Sequence, residues 1–172
     1  KNDEEVYTKY RIRNVVIDVN LEGEGLEKMD TLTYRGLHFR YYGNIQLRPQ
    51  VIYSQLRMFP DDYYNEEGIQ ATYHNFSNLS ALRYAVIRME PADSARLDCH
   101  VTLQPSKVNG ISAELEGTNT SGDMGVAASL SFTNRNLFHG SELWTTKIRG
   151  AFEAITGLEG YRDQNYFEIS AE

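Results

Sequence analysis

The chain is predicted to be α+β: a mixed module in the order strand, helix, helix, strand, strand over residues 1–106, followed by antiparallel strands alone over residues 107–172. Three observations predict this. A β-branched run occupies residues 10–20, two short capped helical patterns lie between residues 49 and 79, and the last third alternates apolar and polar residues with no helical period. Twelve Tyr and seven Phe against four Pro agree with a strand-rich chain, because flat aromatic side chains pack well on a pleated surface.

Taken in order, residues 10–20 carry Ile12, Val15, Val16, Ile17 and Val19, a strand with a well-covered face. A Gly- and Glu-rich stretch follows at 21–30, then residues 31–41 alternate loosely and are predicted to form one more extended segment. Pro49 suits a first helical turn, where its missing N–H is not needed, and Val51, Ile52, Gln55 and Leu56 follow at helical spacing. Residues 59–62 end that helix. Asn65 is placed to cap a second one, with Glu66 and Glu67 in the first turn, where the helix dipole favours negative charge. Ile69, Thr72, Tyr73, Phe76 and Leu79 recur at three and four residues and are predicted to form one packed face. Strands at 82–89 and 96–103 complete the module, joined by a turn at 91–94 that contains Pro91.

In the last third, Ile111, Ala113, Leu115 and Gly117 alternate with Ser112, Glu114, Glu116 and Thr118, and a turn is predicted at 119–123. Val126, Ala128, Leu130 and Phe132 alternate with small and hydroxylated residues. Trp144, Thr146, Ile148, Gly150, Phe152 and Ala154 fall on one face of a further strand, with Lys147, Arg149 and Glu153 on the other. Residues 166–172 begin another. The lengths are near the roughly 9–11 residues of a tilted transmembrane strand, and a lipid-facing apolar side opposite a polar lumen gives this alternation. An amphipathic soluble sheet gives it too, so periodicity alone leaves both readings open.

Net charge of −7 repels phosphate and argues against nucleic acid as a main partner. A single cysteine, Cys99, allows no intrachain disulfide and no cysteine-based zinc site, and an inert buried thiol is expected there. His38, His74, His100 and His139 lack ligand spacing, Asp61-Asp62 suits a solvated turn, and no glycine cluster opens a helix after a strand. No Ser/His/Asp set or carboxylate pair stands out. The expectation is therefore a non-enzyme with no metal and no cofactor. No apolar run is long enough for a membrane-spanning helix, which does not bear on a β-barrel. The first residues carry no apolar signal segment, and the chain is expected to be a piece of a longer protein.

Residues 10–20, 49–58, Tyr63-Tyr64-Asn65, 72–79, 85–88 and Leu97-Asp98-Cys99-His100-Val101-Thr102-Leu103 resemble a polypeptide-transport-associated (POTRA) module. Residues 114–119, 121–123 and above all Asn134-Arg135-Asn136-Leu137-Phe138-His139-Gly140-Ser141-Glu142 resemble the entry to the barrel of the same proteins. The chain is thus similar, over nearly its whole length, to the bacterial surface-antigen, BamA- and TamA-like outer-membrane assembly superfamily, of Bacteroidetes type. The barrel-entry motif (Asn134, Arg135, Asn136, Leu137, Phe138, Gly140, Glu142) is the most specific part. Extra material at 21–42 departs from the pattern and is expected to split or lengthen the first strand of the module.

The resemblance implies a POTRA-like periplasmic module over residues 1–106 and the first strands of an incomplete outer-membrane β-barrel over residues 107–172. It implies unfolded outer-membrane or secreted polypeptides as clients, accessory lipoproteins as possible partners, contact with outer-membrane lipid, and no cofactor. Clients would be received by β-augmentation, in which a sheet edge offers unpaired N–H and C=O groups to a passing strand. The candidate edge is Arg83, Tyr84, Ala85, Val86, Ile87, Arg88 and Met89, unless a neighbouring module or the chain's own insertion covers it. Two rival functions stand beside this one: a soluble protein- or glycan-binding module with no membrane role, and an exporter dedicated to one partner or to lipid.

Overall fold

The β-branched run forms β1 (Arg11–Val19), whose Ile12, Val15, Ile17 and Val19 are all buried, with a bulge between Ile12 and Asn14. The computed structural model describes residues 9–20, 29–120, 123–154 and 165–172. These divide into two compact units, Lys1–Ser106 with Asn136–Glu142, and Lys107–Arg135 with Leu143–Glu172. The first is mixed α/β, with two helices; the second is a sheet alone. Most of the barrel-entry motif, Asn136–Glu142, packs with the first unit rather than the second.

The stretch predicted to be one extended segment is a hairpin, β2 (Asp30–Tyr34) and β3 (Leu37–Tyr41). Arg35 and Gly36 both take positive φ, +48° and +82°, as a two-residue turn twisted in the sense of its strands requires. β3 pairs in parallel with β1, so the insertion does not split the first strand: β1 stays whole and gains β3 as a neighbour, with β2 beyond it. Arg40 of β3 stands opposite Asp18 of β1 and grips its buried carboxylate with two hydrogen bonds of 2.5 and 2.6 Å.

Helix α1 (Pro49–Gln55) opens on its proline, and α2 (Glu66–Ser77) opens on Asn65, whose side chain accepts the N–H of Glu67 at 3.0 Å. Ile52, Thr72 and Phe76 are their buried residues. Tyr73, predicted on the packed face, is instead 50% exposed. Strand β4 (Leu82–Asp93) runs through Pro91 rather than stopping before it. It can do so because it is an edge strand, where a missing N–H costs no ladder bond, and a register shift follows Pro91. β5 (Arg96–Pro105) returns antiparallel to β4 and lies in parallel against β1.

The resulting order is β2-β3-β1-β5-β4. One face buries Val15, Ile17, Phe39, Cys99, Val101 and Leu103 with Ile52, Leu56 and Phe76 of the helical segment in a single apolar core. The other face is polar, with Arg13 paired to Asp98 beside the Arg40–Asp18 pair.

The second unit holds β6 (Asn109–Thr120), β7 (Asp123–Asn134), β8 (Trp144–Ala154) and β9 (Asn165–Ala171), antiparallel in sequence order. It is an open sheet, not closed into a barrel among the described residues. The turn expected at 119–123 is framed by the Thr120–Asp123 pair, and residues 121–122 lie outside the described residues.

Candidate functional site

The order of the first sheet leaves β4 without a partner strand on its outer side among the described residues. The described part of the insertion, β2 and β3, lies on the far side of β1 from that edge. Of the candidate edge residues, Ala85, Ile87 and Met89 pair in register with Leu103, Val101 and Cys99 and join the core side, while Tyr84 and Arg88 are exposed. Arg83 stacks over the Tyr84 ring at 5.7 Å.

An open groove of about 460 Å³ runs between this edge and α2, lined by Ile69, Gln70 and Tyr73 from the helix and Ala85, Val86 and Ile87 from the strand. Its lining is mixed, with apolar surface from Ile69, Ala85, Val86 and Ile87 beside the Gln70 amide and the Tyr73 ring. The exposure of Tyr73, anomalous for a packed helix face, is accounted for by its place on the groove wall. An extended chain added to β4 would form ladder hydrogen bonds and set every second side chain against Ile69 and Tyr73.

Burial pushes the Cys99 thiol up to about 12, and its sulfur lies 3.8 Å from that of Met58, as an inert core group. Among the described residues, no three His, Cys, Asp or Glu side chains form a group that could hold a metal ion.

Most of the barrel-entry motif forms a second feature of the first unit. Asn134 closes β7, and the N–H of Arg135 just after it bonds to Val108 O at 2.8 Å. Asn136 is buried; its amide donates to Gln46 O at 2.7 Å and accepts the N–H of Ser141 at 3.0 Å. Arg48 donates its N–H to His139 O at 3.0 Å and its guanidinium to Phe138 O. Ser141 takes a positive φ of 68° and bonds through its hydroxyl to the N–H of Ala81 at 2.9 Å. Glu142 folds back to accept the N–H groups of Phe138 and Gly140 at 3.1 and 3.0 Å. A Cβ at position 140 would press on that carboxylate, so a side chain there would displace Glu142 from these N–H groups.

Gln46, Arg48 and Ser80 were not legible as part of this feature, since their partners lie about 60 to 90 residues away and they belong to no motif. The N–H groups of Glu142 itself, Gly140 and Phe138, with Arg48 near, hold the Glu142 carboxyl below its ordinary 4.5. A depressed folded-state pKa stabilises above the unfolded value, and that contribution is lost as pH falls through the folded one. Amide exchange at Phe138 and Gly140, corrected for intrinsic rate, is expected to be protected above pH 4.5 and to speed up progressively below it. Glu142→Gln should abolish that acid-dependent change, and an unchanged profile would show that the carboxylate does not hold the loop.

In the second unit the register sorts side chains cleanly. One face carries Ile111, Ala113 and Leu115 of β6, Val126, Ala128, Leu130 and Phe132 of β7, Trp144, Ile148, Gly150 and Phe152 of β8, and Phe167 and Ile169 of β9. It bears no charge, and its large side chains stand exposed, Ile111 at 76% and Leu115 at 89%. The opposite face is charged and paired. Lys147 reaches Glu114 at 3.1 Å and Arg149 reaches Glu116 at 2.9 Å. These partners sit on strands β6 and β8, about 10 Å apart with β7 between them. They can meet because β7 presents only the small Ala127, Ser129 and Ser131 there, the first two of them buried.

No family model matches the chain, and no curated protein matches it. Among solved structures, it is similar to the crystal structure of BamA from Haemophilus ducreyi lacking POTRA domains 1-3, at 8% identity and a TM-score of 0.38. The similarity covers 87% of this chain and 37% of that one, and is too slight to carry an argument about function.

Proposed function

We propose that the protein is an outer-membrane assembly or translocation factor, in which a POTRA-like periplasmic module receives unfolded polypeptides and passes them to a membrane barrel begun by the second unit. The observation that carries the reading is the two-faced sheet of the second unit. One side is uncharged and studded with exposed Ile, Leu, Val, Phe and Trp, and the other is salt-bridged. In water such a row of exposed large apolar side chains is a liability; against lipid it is the ordinary outside of a barrel, with the ion pairs toward the lumen. The soluble binding module leaves that face without a purpose.

The client site is the β4 edge with its groove. Main-chain pairing demands no particular sequence and the groove asks only for apolar side chains at alternate positions, which is the pattern of barrel strands themselves. Transfer of those side chains into lipid supplies the driving force, so neither nucleotide nor cofactor is required, and the protein acts without enzymatic chemistry.

The test is to deplete the full-length protein in its host and restore either the native form or Tyr73→Asp, a change at an exposed position that puts a charge in the groove. Depletion is expected to lower many unrelated barrel proteins together, with unfolded forms accumulating in the periplasm, and Tyr73→Asp is expected to restore them several-fold less well at equal abundance. Loss of one surface protein alone would turn the reading into a dedicated exporter. An unchanged outer membrane would overturn it.

A further inference from the structure

We infer that Arg88 selects among extended clients, favouring a strand that places an acidic residue opposite it on the open face of the first sheet. The inference rests on the reading of the β4 edge as the client site and concerns which strands that edge prefers. It starts from the direction of the main-chain groups. At the two ends of β5, Leu103 O accepts the N–H of Asn20 at 3.0 Å and Ala95 O that of Arg11 at 2.9 Å. Main-chain groups alternate in direction along a strand, so the odd-numbered residues of β5 turn theirs towards β1. Their partners on β4, Ala85, Ile87, Met89 and Pro91, face them in an unbroken register. Those four therefore turn their own groups outward, away from β5. Pro91 falls in the row that has no ladder bond to lose, as a residue without an N–H must. The edge thus offers both N–H and C=O at Ala85, Ile87 and Met89, and at Pro91 a carbonyl alone.

An antiparallel client takes those residues as hydrogen-bonded pairs. Between them it meets Val86 and Arg88 as non-hydrogen-bonded pairs, where facing side chains come closest, with Cα atoms about 4.5 Å apart. By the alternation of a strand, Val86 and Arg88 point to the open face, opposite to Ala85, Ile87 and Met89, which join the core side. Carboxylates on that face are already matched. Asp18 is held by Arg40 and Asp98 by Arg13, and Glu90 lies 3.8 Å from the His100 ring. Arg88 is exposed and, among the described residues, holds no hydrogen bond or ion pair. Its guanidinium therefore keeps its donors for whatever strand adds to the edge. A client carboxylate opposite it completes a cross-strand ion pair, whereas an ammonium there meets a like charge. The selection is read on the open face, and the groove beside α2 reads the other set of side chains.

Peptide binding tests it. Two fluorescent nine-residue peptides are titrated by anisotropy against the full-length protein in detergent micelles. Both alternate threonine with valine, and the central threonine is replaced by glutamate in one and by lysine in the other. The expected result is about five-fold tighter binding of the glutamate peptide, as a cross-strand pair of opposite rather than like charge gives, and a reversed order with Arg88→Glu. Tyr73→Asp, on the groove wall, should weaken both peptides together. Equal binding of the two peptides, still weakened by Tyr73→Asp, overturns the selection and leaves the client site standing. Tighter binding of both by Arg88→Gln also overturns the selection, and makes the arginine a guard that keeps strands off the edge. No binding of either peptide by the native protein overturns the client site and the selection with it.

Discussion

Replacing Phe39 with alanine is expected to destabilise the first unit by about 3–5 kcal/mol, the range for emptying a fully buried aromatic site. Phe39 is 0% exposed and lies in register with Ile17 of β1 and Leu32 of β2, deep in the apolar core. A domain of this size is stable by roughly 5–15 kcal/mol, so the loss would consume a large share of the margin. The consequence is specific because Phe39 belongs to the inserted hairpin. If the hairpin were a surface appendage, its removal from the core would cost well under 1 kcal/mol. Thr31→Ala, on the outward side of the same hairpin, should stay within about 0.5 kcal/mol. Hydrogen exchange read by mass spectrometry on peptides from β1 and β5 in the full-length protein reports the difference. Global loss of protection with Phe39→Ala makes the insertion part of the fold; protection lost only in residues 30–41 makes it an accessory.

An arginine at Ile148 is expected to cost the second unit about 2–4 kcal/mol, as a cation near the bilayer midplane does on the lipid side of a barrel, and to cut the yield of folded protein in the outer membrane several-fold. Ile148 stands near the middle of β8, paired with Leu130, on the uncharged face. The comparison is Thr145→Arg, one face over, where Thr145 pairs with Thr133 and the neighbouring side chains are polar. In a barrel that position looks into the lumen and tolerates charge. Heat-modifiable mobility of the full-length protein extracted from outer membranes separates folded from unfolded forms. A normal yield for Ile148→Arg would place the apolar face in water and restore the soluble binding module.

What the sequence made legible follows from the range of the interactions. Asn65, Glu66 and Glu67 announce a helix start within three residues of one another, and α2 begins there; Pro49 does the same for α1. Strand alternation from Ile111 onward assigned both faces of the second sheet, since period two is a property of the strand itself. Four features were not legible. The Arg35–Gly36 turn inside residues 31–41 carries only one glycine, and the segment read as a single strand. Pro91 read as a turn because its tolerance in β4 depends on the strand being an edge, which is a fact of sheet order. The burial of Asn136 depends on Gln46, 90 residues earlier, and nothing in the motif points to it. The face of Tyr73 was misread because helical spacing counts positions and not which of them the neighbouring strand reaches.

The hairpin between β1 and α1 also alters the order in which this unit can assemble. Val16 must find His100, 84 residues later, to complete the central parallel pair, but it meets His38 after only 22. Closing the shorter loop saves about 1 kcal/mol of chain entropy, from the logarithmic dependence of loop closure on length. Three strands can therefore gather between Arg11 and Tyr41, around Ile17 and Phe39, while the later part of the domain is still being made. A module whose first strand would otherwise wait, bare-edged, for the end of its own domain acquires a template on which β5 can later dock. That early closure keeps β1 from standing as a bare edge, open to pairing with any other unpaired strand, while the rest of its domain forms.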